Sequence, residues 1–530
     1  MQEEPHPWLL LLALISKTAT SNWRYKMSKA REIATAIARQ LQDNGYMAVF
    51  AGGCVRDQFL SVEPKDYDIA TSATPEQVKA VFKDDVALAV GEAFGVIVVI
   101  REEEQVEIAT FRGDGQYGDG RRPDSVKLLN DCDPLVALKE DAARRDLTIN
   151  AMFLDPVSGE LFDFFGGRAD IESRTLRAVG DAAQRFNEDR LRMLRVVRFA
   201  AKLGFTVEPG LMAALQKHAP DLQPGRIVSY ERIAKELEGI LLSKAPVAGL
   251  ELLMESGLMA EILPEMLDMV GENAVQDPIW HPEGSAWVHT MMVLAEAAKE
   301  EEKSFEFMLG VFLHDIAKPR TMSKREEVLD GVTVIRVSNR GHAEVGAEMA
   351  KAICKRLKLS SDTTHRVSEI VRMHMQMHDF NDPNIRRSRL VKLMQRPDIM
   401  DLIRMQHADV MGTGRTLAER QASSHRGFYL NLLEELAGSL EPSQRLNAEA
   451  LVTGAHVKEM GFKPGPIFRV IKEAALAAQH DGEFTDSAGA AAWLAANAAR
   501  FRAMTAQEIA AHQSGEDLAV EVRVGSKHCC

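Results

Sequence analysis

Two aspartates one residue apart, Asp66 and Asp68, follow a Gly52-Gly53 pair and an Arg56-Asp57 pair in the stretch VFAGGCVRDQFLSVEPKDYDIAT, residues 49–71. Side chains two apart on an extended segment share a face, so these carboxylates stand side by side. Like charges that close repel unless a cation sits between them. Oxygen-only ligation suits Mg2+, held by one or two carboxylates and completed by substrate phosphates. The glycines let backbone approach a phosphate, a following helix N-terminus offers it N–H groups, and Arg56 adds a fixed charge. Taken singly, each piece also fits an ordinary turn or a solvated strand end. Their order favours a metal and a phosphate.

Further along, EIATFR begins at Glu107, a third carboxylate on a β-rich segment, which a two-metal phosphoryl-transfer site would use. The run DAARRDLTINA, residues 141–151, gathers Arg144, Arg145 and Asp146 just before an apolar stretch, with Asn150 inside it. Two cations and an anion suit a triphosphate and its sugar. In QRFNEDRLRMLRVVRFAAKLGF, residues 184–205, Asp189, Arg192, Arg195 and Arg198 recur every third residue beside Leu191, Leu194, Val197 and Ala201. One long helix from Ala183 to Phe205 would present them as a slanted charged ribbon, which also describes a salt-bridged surface helix.

A second set of chemical residues surrounds Trp280: His281, His289, the adjacent pair His314-Asp315, His342, His374 and Asp409. Mixed imidazole and carboxylate ligation suits Mn2+, Ni2+, Co2+ or Fe2+, with Mg2+ possible if few histidines bind. Adjacent His314 and Asp315 reach one ion together only from a bent helix or a terminal turn.

The GG…RD and DxD pieces resemble the nucleotidyltransferase superfamily that includes DNA polymerase beta, and more closely the bacterial (class II) tRNA nucleotidyltransferase and poly(A) polymerase family. The 141–151 run resembles that family's RRDFTINA motif, with Leu147 in the phenylalanine place, and SYERIAKE, residues 229–236, resembles its neck segment. The resemblance implies that Gly52, Gly53, Arg56, Asp66 and Asp68 hold an incoming triphosphate and two metal ions. It also implies that Glu188, Asp189 and Arg192, with Arg195 and Arg198 in support, pair with the base edge of CTP or ATP. The histidine set resembles the HD phosphohydrolase superfamily, which implies a metal site of His289, His314, Asp315 and Asp409, with His342 and His374 completing a binuclear centre. Substrates implied there are 2′,3′-cyclic phosphates or 2′-nucleotides at damaged tRNA ends. LVTGAHVKEMGFKPGP, residues 451–466, resembles a tail element of family members carrying this HD module.

The elements that must position these residues follow from local pattern. Ser28 to Asn44 has helical spacing, Thr74-Pro75 starts a helix with Thr74 as cap, and Val96 to Ile100 with Gln105 to Phe111 form a hairpin. Asp66 and Asp68 fall on a strand, and the glycine-rich stretch from Gly113 to Glu140 reads as a mobile loop. With 530 residues the chain is too long for one core. The expected class is α+β: a polymerase-beta-like head of mixed sheet and helices at 28–170, then an all-helical neck (171–275), HD domain (276–415) and tail (416–512). An N-terminal extension (1–27), with Met27 as an alternative start, and a loose C-terminus (513–530) complete this division.

A net charge of −13 argues against indiscriminate coating of nucleic acid without excluding a local basic groove. Five cysteines without metal spacing fit a reducing cytoplasm, and the apolar run Trp8–Ile15 is too short to span a bilayer. The leading reading is template-independent CCA addition to tRNA from CTP and ATP with Mg2+. Alternatives are CC-only or A-only addition, poly(A) synthesis, or an HD nucleotidase or RNA-binding protein with an inactive head. Against poly(A) synthesis stands GEAFGV at 91–96, where a basic GRRF-like run is typical; the uncut segment 112–143 argues against CC-only addition.

Overall fold

The computed structural model describes residues 28–91, 95–114, 126–129, 132–329, 332–379, 385–434 and 448–514. The sequence readings on 1–27, on most of the 113–126 run, on part of the 91–96 run and on the last 16 residues fall outside these. The described residues up to 173 form one compact unit, and those from 174 onward form a second.

The first unit starts with α1 (Lys29–Asp43), capped by Ser28 and burying Ile33, Ile37 and Leu41. β1 (Ala48–Ala51) is buried throughout, as an unbroken apolar run requires of a central strand. It turns through Gly52, at φ +66°, into α2 (Gly53–Phe59). β2 (Ile69–Thr71) returns antiparallel to β1. α3 (Pro75–Val81) has the expected Thr74 cap, completed by Gln77 as a capping box. β3 (Val86–Gly91), β4 (Val96–Arg101) and β5 (Glu104–Thr110) extend the sheet, with β4 and β5 as the expected hairpin.

Two readings need correction here. Strand β2 starts at Ile69, so Asp66 and Asp68 lie on the extended approach to it. The segment 113–140 is not loop throughout: β6 (Arg112–Asp114) pairs with β7 (Val126–Leu128), and α4 (Pro134–Ala143) starts at Pro134 behind the Asp133 cap. A charged cap followed by proline at the first helical position was the overlooked start signal. With β8 (Phe153–Leu154) and β9 (Leu161–Phe162), the main sheet runs β3-β4-β5-β2-β1-β8-β9. Only β2 and β5 are parallel within it, with Ile69 beside Ile108.

In the second unit the single long helix is instead two, α5 (Ala182–Glu188) and α6 (Leu191–Leu203). Asp189 leaves helical geometry at φ −145°, and its carboxylate accepts the N–H of Leu191, the first residue of the second helix, at 3.1 Å. α6 buries Leu191, Leu194, Val197 and Ala201 as its stripe predicts, and ends at left-handed Gly204. α7 (Tyr230–Leu241) begins behind the Ser229 cap.

The metal-ligand candidates ride on α8 (Ala286–Ala297), α9 (Phe305–Leu313), α10 (His342–Arg356), α11 (Ser361–Met373) and α12 (Ile399–Met411). Between α9 and α10 an antiparallel hairpin, residues 323–329 paired with 332–338, departs from the all-helical expectation. The Asp330-Gly331 pair followed by the β-branched run VTVIRV carried that signal. The short parallel pair 175–176 with 206–207 is a second departure. The tail helices, including α13 (Pro466–His480) and α14 (Ser487–Ala503), close a small core of their own around Ile471, Phe484 and Leu494. No helix among the described residues is long and apolar enough to cross a membrane.

Candidate active site and candidate metal centre

Register assembles the carboxylates of the first unit. Because Ile69 pairs in parallel with Ile108, the residues just before them, Asp68 and Glu107, lie next to each other on the exposed face while both isoleucines are buried. Burial alternates over residues 66–68: Asp66 and Asp68 are exposed and Tyr67, its ring tilted against that of Phe50 at 5.1 Å, is buried. The two aspartates therefore share a face, although the strand begins later. Thinned hydration, then the charge of Glu107, push Asp68 up to about 6, with Arg145 opposing and Asp66 reinforcing. Such mutual repulsion is the electrostatic mark of a cation site, and the all-oxygen donor set fits Mg2+.

The glycine turn is joined to these carboxylates through backbone: Ala51 N–H donates to Asp68 O at 3.0 Å, and Gly52 N–H to Met152 O at 3.1 Å. Gly52 is required twice over, by its positive φ and by Arg145, whose Nη1 lies 2.6 Å from where a Cβ would stand. Arg145 Nη1 also donates to Asn150 O at 3.0 Å, and its guanidinium sits 4.7 Å over the Phe153 ring. Arg56 is buried, donating to Asp57 Oδ1 at 2.8 Å and to Asn150 Oδ1 at 2.6 Å, and Asn150 donates to Asp146 Oδ1 at 3.1 Å. Arg56 thus braces the turn from behind rather than standing in the open. The residue that sequence reasoning missed is Asp141. It is buried and takes Arg144 Nη2 at 2.8 Å and Arg145 Nη2 at 3.0 Å, an i,i+3 and i,i+4 pattern visible in the chain.

In the second unit Arg192, Arg195 and Arg198 share α6, but the acid–base ribbon is tied to partners that periodicity did not reveal. Glu188 bridges Arg185 and Arg192, Asp189 Oδ2 takes Arg232 Nη2 at 2.8 Å, and Arg198 Nε meets Glu236 Oε2 at 2.6 Å. Arg195 lies 5.5 Å over Phe199. Arg232 is 43 residues from Asp189, so only the packing of α7 on α6 brings it there.

The histidines converge fully. His314 caps the end of α9, with Asp315 in the following turn as adjacency demanded, and His374 caps α11. Asp315 is the hub: its Oδ2 lies 3.2 Å from His314 Nε2 and 3.6 Å from His289 Nε2. Its Oδ1 lies 3.3 Å from His342 Nε2 and 3.8 Å from His374 Nε2. Asp409 Oδ1 stands 3.0 Å from His289 Nε2 and 3.8 Å from His314 Nε2. Two ligand trios, His289/His314/Asp315 and Asp315/His342/His374, share Asp315, the arrangement of a binuclear centre.

The outer ring nitrogens face away: His314, His342 and His374 meet the carbonyls of Val311, Asn339 and Val371 at 2.7, 2.7 and 2.6 Å. Each Nε2 lone pair is thereby turned inward. Both Asp315 oxygens and His314 Nε2 are buried without a properly aligned hydrogen bond among the described residues, so their lone pairs are available to a bound cation. Burial, with His342 and His314 nearby, holds His374 down to about 3, so it stays neutral and able to ligate. Two residues not foreseen join this centre. Lys318 Nζ is 2.6 Å from Asp315 Oδ2 and 2.5 Å from Gln276 Oε1, and Glu283 Oε1 is 2.8 Å from His289 Nδ1. Lys318 is one turn after Asp315 and Glu283 two residues after His281, spacings that could have drawn notice.

Three domain families match the chain: the poly A polymerase head domain over 48–177, a probable RNA and SrmB-binding site of polymerase A over 204–269, and the HD domain over 286–400. The CCA-adding enzyme of Bacillus licheniformis is 42% identical over 229 residues, covering 43% of this chain and 55% of that enzyme. That of Geobacillus stearothermophilus is 43% identical over 227 residues, covering 43% and 53%. The alignments span about half the length of these curated relatives. Among solved structures, the Bacillus stearothermophilus CCA-adding enzyme in complex with CTP superposes with TM-score 0.63 at 26% identity, covering 90% of this chain and all of that one. The Thermotoga maritima CCA-adding enzyme complexed with tRNA shares the fold at TM-score 0.55 and 17% identity, covering 88% of this chain and 95% of that one. Glycine turn, carboxylates, neck and HD centre follow one another along one chain, which carries a poly A polymerase head domain, a polymerase A RNA-binding segment and an HD domain and is similar to CCA-adding enzymes.

Proposed function

We propose that this chain is a CCA-adding tRNA nucleotidyltransferase that uses CTP and ATP to build or repair the tRNA 3′ end. The observation carrying this reading is the meeting of Asp66, Asp68 and Glu107 on one face beside the Gly52 turn. The relative solved with CTP, matched along its whole length, supports the choice of substrate.

Asp66 and Asp68 would hold Mg2+, with Glu107 as the third acid. When bound, the ions supply Lewis-acid stabilisation of charge on the entering and leaving oxygens. Arg144 and Arg145, fixed by Asp141, offer charge to the triphosphate, while Asp146 and Asn150 offer polar contacts to its sugar. The RNA 3′-OH attacks the α-phosphorus, the bond to the β-phosphate oxygen breaks, and pyrophosphate leaves. Asp189 and Arg192 select the base: a carboxylate accepts from the exocyclic amino group of cytosine or adenine, and a guanidinium donates to ring nitrogen or carbonyl. Glu188, Arg195 and Arg198 hold that helix face in place.

The HD centre is assigned a metal-dependent phosphohydrolase role on 2′,3′-cyclic phosphates or 2′-nucleotides, with water replacing one ester oxygen at phosphorus. His289, His314, Asp315 and Asp409, with His342 and His374, would hold Mg2+, Mn2+, Ni2+, Co2+ or Fe2+. The domain division at 28–170, 171–275, 276–415 and 416–512 belongs to the same proposal.

Transcripts ending before the first C, after CC and after CCA, each given CTP and ATP separately and together, test the transferase. Stepwise completion to CCA and then arrest is the expected result. Arrest after CC, addition of A alone or continued A addition would replace the reading with the CC-adding, A-adding or poly(A) alternative, and incorporation that survives Asp66→Ala with Asp68→Ala would overturn the site.

A further inference from the structure

Three of the four inward-facing histidines solve one problem in the same way. His314, His342 and His374 stand at helix ends, where the carbonyl three residues earlier is open to a side chain, and each ring uses it. His289 has no such option, because it lies within α8, where main-chain carbonyls serve the helix itself. Its Nδ1 meets Glu283 Oε1 at 2.8 Å instead.

Glu283 is itself fixed from two further sides. His281 Nδ1 reaches the same Oε1 at 2.9 Å, and the Gly414 N–H donates to Oε2 at 2.8 Å. Gly414 approaches so closely that a Cβ there would stand 3.0 Å from Glu283 N, which only glycine permits without displacement. It follows the helix that carries Asp409, so one carboxylate ties the loop beyond one ligand to the ring of another.

We propose that Glu283 is a positioning residue of the HD metal centre: its carboxylate accepts the Nδ1–H of His289, fixes that tautomer and aims the Nε2 lone pair at the ion shared with His314 and Asp315. This rests on the cluster holding divalent metal. A carboxylate partner makes imidazole a stronger ligand than a carbonyl partner does, so of the two ion positions the one containing His289 is tuned by a side chain and the other by main chain alone.

The test uses the full chain, Co2+ as probe, equilibrium dialysis for stoichiometry and affinity, and the visible absorption of bound Co2+ as a readout of ligand geometry. Glu283→Ala is expected to weaken one of the two bound ions by about 10–100-fold and to change its spectrum, leaving the other ion in place. Glu283→Gln keeps an acceptor oxygen without the charge and is expected to lose less; it decides the matter if the alanine variant does not fold. Parent-like affinity and spectrum in the folded variants would overturn the proposal, as would equal loss of both ions. A parent protein that binds no Co2+ would overturn the metal reading itself, an outcome distinguishable from failure of Glu283 alone.

Discussion

Asp141→Asn removes one charge from the first unit while keeping the side chain's shape. Burial alone would raise the Asp141 carboxyl, but Arg144 and Arg145 outweigh it and hold the group below its ordinary range. Removing one partner of a buried ion pair costs about 3–5 kcal/mol. Both arginine side chains keep roughly a fifth of their surface in water, so about 3 kcal/mol, the low end, applies here. That corresponds to roughly a hundredfold faster local opening. Amide exchange in peptides spanning 134–154 is the right assay, because a chain of two units does not unfold as one two-state system. The sign with pH follows from the lowered carboxyl: its contribution is complete above the ordinary carboxylate range, about 4, and is lost as pH falls through the folded value. The gap between variant and parent should therefore close in acid. Arg145 keeps its hydrogen bond to Asn150 O and its place over Phe153, while its charge-assisted bonds to the carboxylate are reduced to bonds with a neutral amide oxygen. One charge-assisted bond contributes about 1.5–3 kcal/mol, so kcat/KM should fall at least about tenfold, equally for CTP and ATP. Parent-like exchange would refute the clamp; faster exchange with unchanged kinetics would refute the role of Arg145 at the triphosphate.

Three other outcomes are expected. Asp189→Ala should relax discrimination among CTP, ATP, UTP and GTP, measured as ratios of kcat/KM, and unchanged ratios would remove Asp189 from base selection. Asp315→Asn should lose both Co2+ ions because both trios contain it, whereas His342→Ala should lose one; retention of an ion by Asp315→Asn, measured by metal content, would contradict the shared hub. Cys54 and Cys354 are buried, with thiols pushed up to about 11 and about 12. They should resist iodoacetamide in the native protein at pH 8 while exposed Cys132 reacts, since only thiolate attacks; prompt native labelling of Cys54 or Cys354 would show that burial is not what governs them.

What the sequence disclosed depended on distance along the chain. Asp66 and Asp68 were placed on one face by spacing alone, and the hairpin that brings Glu107 near could be read from its two β-rich runs. Their meeting, however, rests on the parallel register of Ile69 with Ile108, a non-local choice that no local pattern encodes. The break at Asp189 was legible in principle, since aspartate before an apolar run is a helix-start signal, but continuous periodicity across it masked the boundary. The HD ligands were recognisable as types and in order, and even the terminal turn at His314-Asp315 followed from adjacency. Glu283 escaped because its task is to orient a ligand, and orientation shows only when the ring's second nitrogen is located.

That break in the neck bears on how a protein surface could choose a base. A helical Asp189 would be held only by its own backbone and would sweep through rotamers. Displaced from the helix, its carboxylate is fixed from two directions, by the Leu191 N–H at 3.1 Å and by Arg232 at 2.8 Å. Glu188 is likewise shared by Arg185 and Arg192, so Arg192 is aimed before any nucleotide arrives. Selectivity depends on such fixing, because a rigid donor or acceptor that meets the wrong base edge is left unpaired and desolvated, whereas a mobile one re-forms its bonds elsewhere. On the proposed reading of Asp189 as a base-selecting residue, the ion pairs within the neck would serve discrimination more than stability, and Arg232, remote in sequence and unconnected to the charged ribbon by period, would join the selecting surface through the aspartate it holds.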